Sequence, residues 1–229
     1  MKNELIIVIG AYGSGKSEYS INLARKYKDK NESVVLVDLD VVNPYFRSRD
    51  VKEKFAQEGI EVISPEGQYK HADLPMLSPR IMGAVENLSS TVILDVGGDP
   101  MGCRTLGRYI QKINQRGYYM EMVINTKRPF TGKPEGIESM VNELETASKL
   151  KIDEFVCNTN LLRKTTPETV KNGIGIIQEA ADNLNKKFEK FLVIDEIEDK
   201  FPDIIDGKRK VILEYFLKKP WEMLVMKGI

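Results

Sequence analysis

Between Gly10 and Ser17 the chain reads GAYGSGKS: three glycines leave the backbone bare of Cβ atoms, and a lysine and a serine close the stretch. Bare backbone amides can approach an anion closely, the lysine can pair with its charge, and the hydroxyl can ligate a cation beside it. The spacing fits G-x-x-x-x-G-K-[ST] without a gap. A tight turn between strand and helix would account for the glycines, but not for Lys16 and Ser17 beside them. In the phosphate-cradle reading, Gly10, Ala11, Tyr12, Gly13, Ser14, Gly15, Lys16, Ser17 and Glu18 bind a nucleotide. Lys16 then points into the open site toward the β and γ phosphates, and the Ser17 hydroxyl holds Mg²⁺.

Aspartates stand where two further apolar runs stop, in VDLDVVNPYFRSRD (residues 37–50) and VILDVGGDPMG (residues 92–102). Beside a Mg²⁺ near Ser17, carboxylates from Asp38, Asp40 and Asp95 can hold metal-bound water or orient an attacking one. Capping of a following helix is the other use of Asp38 and Asp40, and a strand-end turn that of Asp95. The Gly97-Gly98 pair would let the backbone at Gly98 reach the γ-phosphate.

Such a site needs strands that deliver all these residues to one end of a sheet. Strand-like runs fall at 5–9, 33–38, 61–63, 91–96, 118–125, 154–158 and 191–194. Amphipathic helical stretches fall near 17–29, 46–58, 78–88, 103–116, 134–150 and 166–186. This alternation predicts an α/β fold: a mostly parallel twisted sheet with helices on both faces, its active groups at the carboxyl ends of the strands. Residues 64–79, with Pro65, Gly67, Pro75 and Pro79, read as a long loop containing the lone histidine, His71. After Pro202 and Gly207, the stretch KRKVILEYFLKKPWEML reads as a final helix broken before Pro220.

The 229 residues, 41% of them hydrophobic, suit a single nucleotide-binding domain spanning 1–229. Thirty-four basic residues balance 34 acidic ones, so no overall field draws the chain to nucleic acid. No apolar run approaches the roughly 20 residues of a membrane span, and the start of the chain leads into a strand. A cytoplasmic protein is expected. Cys103 and Cys157 lack metal-type spacing and suit a reducing compartment.

The succession of GAYGSGKS, D-x-D-x-x-N-P at 38–44 and D-x-G-G-D at 95–99 resembles the MinD/ParA-type P-loop ATPases of the SIMIBI class, a group that includes the nitrogenase iron protein and the Mrp-type carriers. The resemblance covers motif order over residues 4–160. It implies a three-layer P-loop NTPase fold, ATP and Mg²⁺ as ligands, Asp40 as the residue that positions hydrolytic water, and switches that signal to a protein partner. It also implies a nucleotide-dependent homodimer. The lysine that this group carries one position after the first glycine is replaced by Ala11. Arg47, Arg49 and Arg104, in or beside the switches, are candidates to supply the charge.

For the base, TKRP at 126–129 begins like the guanine-reading T-K-x-D but ends in Pro129, which offers no side-chain acceptor. An asparagine amide can read adenine instead, because it both donates and accepts. The resemblance implies Asn158 in that role, with Asn125 as second choice. The leading expectation is therefore a slowly hydrolysing ATP-dependent switch acting on a partner protein or metallo-assembly. A small-molecule kinase is the alternative, with Asp40 as base on an acceptor hydroxyl and Arg163 and Lys164 as lid cations.

Overall fold

The computed structural model describes residues 3–30, 33–40, 52–64 and 79–217. Strand β1 (Leu5–Ile9) leads through the glycine loop into helix α1 (Lys16–Lys28), followed by β2 (Val34–Leu39), α2 (Lys52–Gln57) and β3 (Glu61–Ile63). Next come α3 (Pro79–Glu86), β4 (Thr91–Val96), α4 (Pro100–Arg104), α5 (Ile110–Arg116), β5 (Tyr119–Ile124), α6 (Pro134–Ser148) and β6 (Glu154–Cys157). Helix α7 (Pro167–Leu184), β7 (Lys187–Ile194), β8 (Ile204–Ile205) and β9 (Lys208–Leu213) complete the order.

The strands form one nine-stranded sheet in the order β3-β2-β4-β1-β5-β6-β7-β9-β8. Every neighbouring pair is parallel except β8 with β9. The central strands LIIVI, VVLVDL and TVILDV are buried along their whole length. Burial on both faces explains why they read as continuous apolar runs rather than alternating ones. One face packs Leu5, Ile7 and Leu94 under α3, α5, α6 and α7. The other packs Ile6, Val8 and Leu36 under Tyr19, Ile21 and Leu23 of α1 and Phe55 of α2. The helix, sheet, helix layering agrees with the sequence-based expectation.

Register sets the site. Asp38 on β2 lies directly beside Asp95 on β4, and Asp95 lies beside Val8 on β1, two residues before the glycine loop begins. Three strand ends thus deliver the loop and the acidic residues to one place.

The expected terminal helix is not formed over 208–213. Those residues are β9, which follows β8 through a turn with Asp206 at φ 46° and Gly207 at φ 76°. Positive φ at both central positions makes a two-residue hairpin turn, and the β-branched Val211 and Ile212 suit the strand that follows. Beyond β9, residues 214–217 lie along α1. Asn22 exchanges hydrogen bonds with the Glu214 backbone (2.9 and 2.8 Å), Arg25 pairs with the Glu214 carboxylate, and Glu18 accepts from the Phe216 and Leu217 amides. The expected helix at 103–116 is two helices, α4 and α5, separated by a 3₁₀ turn at Thr105–Arg108. Asp99 caps the first of them by accepting from the Gly102 amide at 2.8 Å, with Pro100 following it.

Candidate nucleotide site

The loop from Gly10 to Gly15 is held by its neighbours. Gly15 has φ 88°, and a Cβ there would come within 2.2 Å of the Asn158 amide nitrogen. Asn158 Nδ2 donates to the Ser14 carbonyl at 2.6 Å, and Arg128 Nε donates to the Gly13 carbonyl at 3.0 Å. The carbonyl and N–H of one peptide point opposite ways. Fixing the Ser14 carbonyl against Asn158 therefore turns the Gly15 N–H the other way, the orientation an anion requires. Lys16 and Ser17 begin α1, so its free N–H groups add to the same positive end.

Across from the loop, a Cβ on Gly98 would lie 2.0 Å from the Gly10 carbonyl oxygen. The switch-like segment and the loop touch backbone to backbone at this point. Gly98→Ala is therefore expected to displace the loop, costing about 1–3 kcal/mol in stability and lowering nucleotide affinity. Urea denaturation together with calorimetric titration measures both, and a variant with wild-type values would show that the two segments separate freely.

The acids form a buried set around one cation. Lys16 is only 4% exposed, and its Nζ bonds Asp40 Oδ2 at 2.6 Å. The sequence-based picture of Lys16 reaching into open space is thus corrected: it is engaged in an ion pair with Asp40. Burial pulls the Lys16 pKa down most, but Asp95, Asp40 and Asp38 together outweigh it, and the net shift is upward. Asp38 Oδ1 accepts from the Asp40 amide at 3.1 Å. Asp95 is fully buried and accepts at Oδ1 from the Ser20 hydroxyl at 3.3 Å. Burial lifts the Asp95 pKa to about 6, against the opposing pull of Lys16 and the Ser17 hydroxyl.

Asp95 Oδ2 is buried with no hydrogen-bond partner among the described residues. A buried carboxylate oxygen left this way is costly, and a cation beside Ser17 and Asp95 would satisfy it. No three acidic, histidine or cysteine side chains converge as a metal-ligand set among the described residues. That fits Mg²⁺, which takes one or two protein ligands and fills the rest of its shell with water and phosphate oxygens.

Neither a protein-family model nor a curated protein sequence matches the chain. Solved structures do. Cell division protein FtsY from Thermotoga maritima superposes with a TM-score of 0.55 at 20% identity, over 83% of this chain and 62% of that one. Signal recognition particle 54 kDa protein from Aeropyrum pernix, in complex with GDP, gives 0.55 at 16% identity over 83% and 41%. Chloroplast FtsY from Physcomitrella patens gives 0.57 at 14% identity over 83% and 59%. The chain has the P-loop NTPase fold. It spans less than two thirds of the length of these structures, and likeness at such identity concerns the fold alone.

On this P-loop fold the sequence-derived residues are only partly brought together. Gly10 to Ser17, Asp38, Asp40, Asp95 and Gly98 come together at the carboxyl ends of β1, β2 and β4. Asn158 and Asn125 reach the same end but are engaged with protein. Asn158 Oδ1 accepts from Asn160 (3.1 Å), and Asn125 Oδ1 accepts from the Lys127 amide (3.0 Å). Each amide keeps hydrogen-bonding capacity to spare. Glu18 turns its carboxylate away toward residues 216 and 217, and burial raises its pKa to about 7 despite their two N–H groups. Arg104 is exposed. Arg47, Arg49 and His71 lie outside the described residues.

Arg128 was not anticipated. Its signal lay inside TKRP, one position past the residues that invited comparison with a base-reading motif. Both cysteines are buried, and burial, then Asp99, pushes the Cys103 thiol up to about 12. A thiol so disfavoured as thiolate is a packing group.

Proposed function

We propose that this chain is an ATP-binding, slowly hydrolysing molecular switch of the MinD/ParA type, a single nucleotide-binding domain acting in the cytoplasm on a partner protein or metallo-assembly. The observation that carries the reading is the buried Lys16–Asp40 ion pair. Phosphates arriving at the loop compete with Asp40 for Lys16. Their success releases a carboxylate at the very residue that leads into segment 41–50. Nucleotide occupancy is thereby coupled to the chain beyond Asp40, as in other order-and-release switches.

Each group then has a task. The Gly15 and Lys16 amides and the α1 terminus hold phosphate oxygens, Lys16 neutralises charge at the transferred group, and Asp40, once freed, orients the attacking water. Ser17, Asp38 and Asp95 would hold Mg²⁺, which would draw charge from the phosphate oxygens. Exposed Tyr12, Met101, Phe130 and Leu161 lie in the segments that follow β1, β4, β5 and β6, Met101 in the first turn of α4, around the same end of the sheet. Apolar groups gathered at a nucleotide-sensitive rim suit a protein partner or a second copy in a nucleotide-dependent dimer. No helix among the described residues is long and apolar enough to cross a membrane. The kinase alternative draws no support from Arg163, whose guanidinium is held by Glu196. ATP turnover without any acceptor, accelerated by a partner, separates the two readings: turnover only with a small acceptor would establish the kinase.

ATP is proposed over GTP because Pro129 stands where a guanine-reading acceptor would be. ATP should bind at least tenfold more tightly, about 1.4 kcal/mol, in competition against a fluorescent ATP analogue, and equal potency would reopen the GTPase reading. Asn158→Ala adds a second measurement. Because Asn158 also holds the Ser14 carbonyl, the variant should lose affinity for base-free tripolyphosphate as well as for ATP. Loss confined to ATP would make Asn158 a base reader alone.

A further inference from the structure

Helix α1 opens directly on the phosphate loop: Gly15 is its N-cap, no side chain caps it, and Lys16, Ser17 and Glu18 are its first three residues. A glutamate in the third position of a helix ordinarily swings back and accepts from the N-cap N–H. Here that N–H belongs to Gly15, the amide turned to the side an anion requires. A carboxylate bonded to it would put negative charge where a phosphate has to sit.

The end of the described chain holds Glu18 away from this position. Glu18, Asn22 and Arg25, spaced four and three apart, form one stripe along α1, and residues 214–217 follow it from Arg25 back toward the loop. Arg25 pairs with the Glu214 carboxylate, and Asn22 exchanges two hydrogen bonds with the Glu214 backbone. Glu18 accepts from the Phe216 amide and, at 3.3 Å, from that of Leu217, and the residue is 8% exposed. The seat extends to α2. The Phe216 ring meets Phe55 edge-on at 5.9 Å, with the Arg25 guanidinium 4.9 Å and the Lys54 ammonium 4.6 Å from its centre, while Arg25 also reaches Glu58 at 3.2 Å. Leu217 is buried in the core that these helices share. Docking for stability alone would be served by Phe216 and Leu217. A buried carboxylate adds a cost that only its hydrogen bonds offset, and it stands in the first turn of the helix that carries Lys16 and Ser17.

We propose, resting on the nucleotide reading, that residues 214–217 are a strap that keeps the Glu18 carboxylate off the Gly15 amide: seated, it leaves the phosphate position open, and released, it lets the protein's own glutamate close it. Strap and phosphate then favour the same arrangement of the first turn of α1. By linkage, each strengthens the hold of the other by one common factor.

Calorimetric titration of the full chain in Mg²⁺, with inorganic tripolyphosphate and with the non-hydrolysable ATP analogue AMP-PNP, tests this in a double-mutant cycle. Phe216→Ala should weaken both ligands about fivefold or more, because the competing carboxylate acts at a phosphate amide and not at the base. Adding Glu18→Ala to that variant should bring both affinities back to within about twofold of wild type, since a loose strap then releases no competitor. Denaturation midpoints show which variants are folded. Asn22→Ala, which removes the two bonds to the Glu214 backbone, takes the place of Phe216→Ala in the cycle if the latter does not fold. Amide exchange reads the coupling from the other side: bound AMP-PNP should slow exchange at Phe216 and Leu217 about fivefold or more beyond any slowing in β7. Wild-type affinity in the strap variants, a loss that Glu18→Ala does not restore, or strap amides indifferent to a bound nucleotide would overturn the strap alone. Failure of the wild type to bind either ligand would overturn the phosphate site and the strap together.

Discussion

Asp40→Asn should slow nucleotide hydrolysis by about a hundredfold or more while nucleotide affinity stays level or rises. The loss comes from the charge that orients water, and groups in that role contribute about 10²–10⁴. The gain comes from the ion pair. In the wild type, phosphates must take Lys16 from Asp40 at a contact of 2.6 Å between two buried groups, and asparagine holds the ammonium less strongly. Affinity up to about tenfold higher, or 1.4 kcal/mol, is therefore the expected direction, bounded because Asp95 and Asp38 also attract Lys16. Single-turnover hydrolysis and calorimetry measure the two effects separately. Unchanged turnover would leave Asp40 as a counter-ion and nothing more.

Lys16→Ala should do the reverse in binding and also weaken the fold. Triphosphate affinity falls at least tenfold, because the cation facing the phosphates is gone. Removing one partner of a buried ion pair costs about 3–5 kcal/mol, and here three buried aspartates, Asp38, Asp40 and Asp95, lose their common cation. The penalty should shrink with acid. Asp95 already has a folded-state pKa of about 6 against an ordinary 3.8, and loss of Lys16 moves it further up. A group raised in this way destabilises the fold fully above its folded pKa and ceases to do so as pH falls toward the unfolded value. Urea denaturation of the variant should thus lie far below wild type at pH 8 and approach it near pH 5. A gap independent of pH would place the loss in packing rather than charge.

The P-loop was legible because its chemistry is local: eight consecutive residues, one strand before and one helix after. The same holds for Asp38, Asp40 and Asp95, each at the end of an apolar run. What escaped was contact between distant segments. Lys16 meets Asp40 across 24 positions, and Arg128 meets Gly13 across 115. The second uses a backbone carbonyl, which leaves no trace in residue type. Residues 208–213, KRKVIL, lack the period-2 alternation of a half-buried strand, since three cations precede three apolar residues, and only the Asp206-Gly207 turn argues for a hairpin there. Glu121, Glu154 and Lys190 each looked like an ordinary polar residue in a strand. Only the order of β5, β6 and β7 makes them neighbours.

The two ends of the sheet bear on how this molecule meets others. Its outermost strands are β3 with three residues and β8 with two. A strand that short offers too few free backbone groups to template an incoming chain, a common safeguard against edge-to-edge aggregation. The longer β9 is covered by β7 over Arg209–Leu213 on one side, while on the other β8 and the Asp203 carbonyl cover only Lys208 to Lys210. Strand addition thus has little room at the β3 border and at most residues 211–213 at the other, so recognition falls mainly to loops and open faces. Those are surfaces that a nucleotide or a small ligand can rearrange, whereas a zippered edge, once joined, answers to neither.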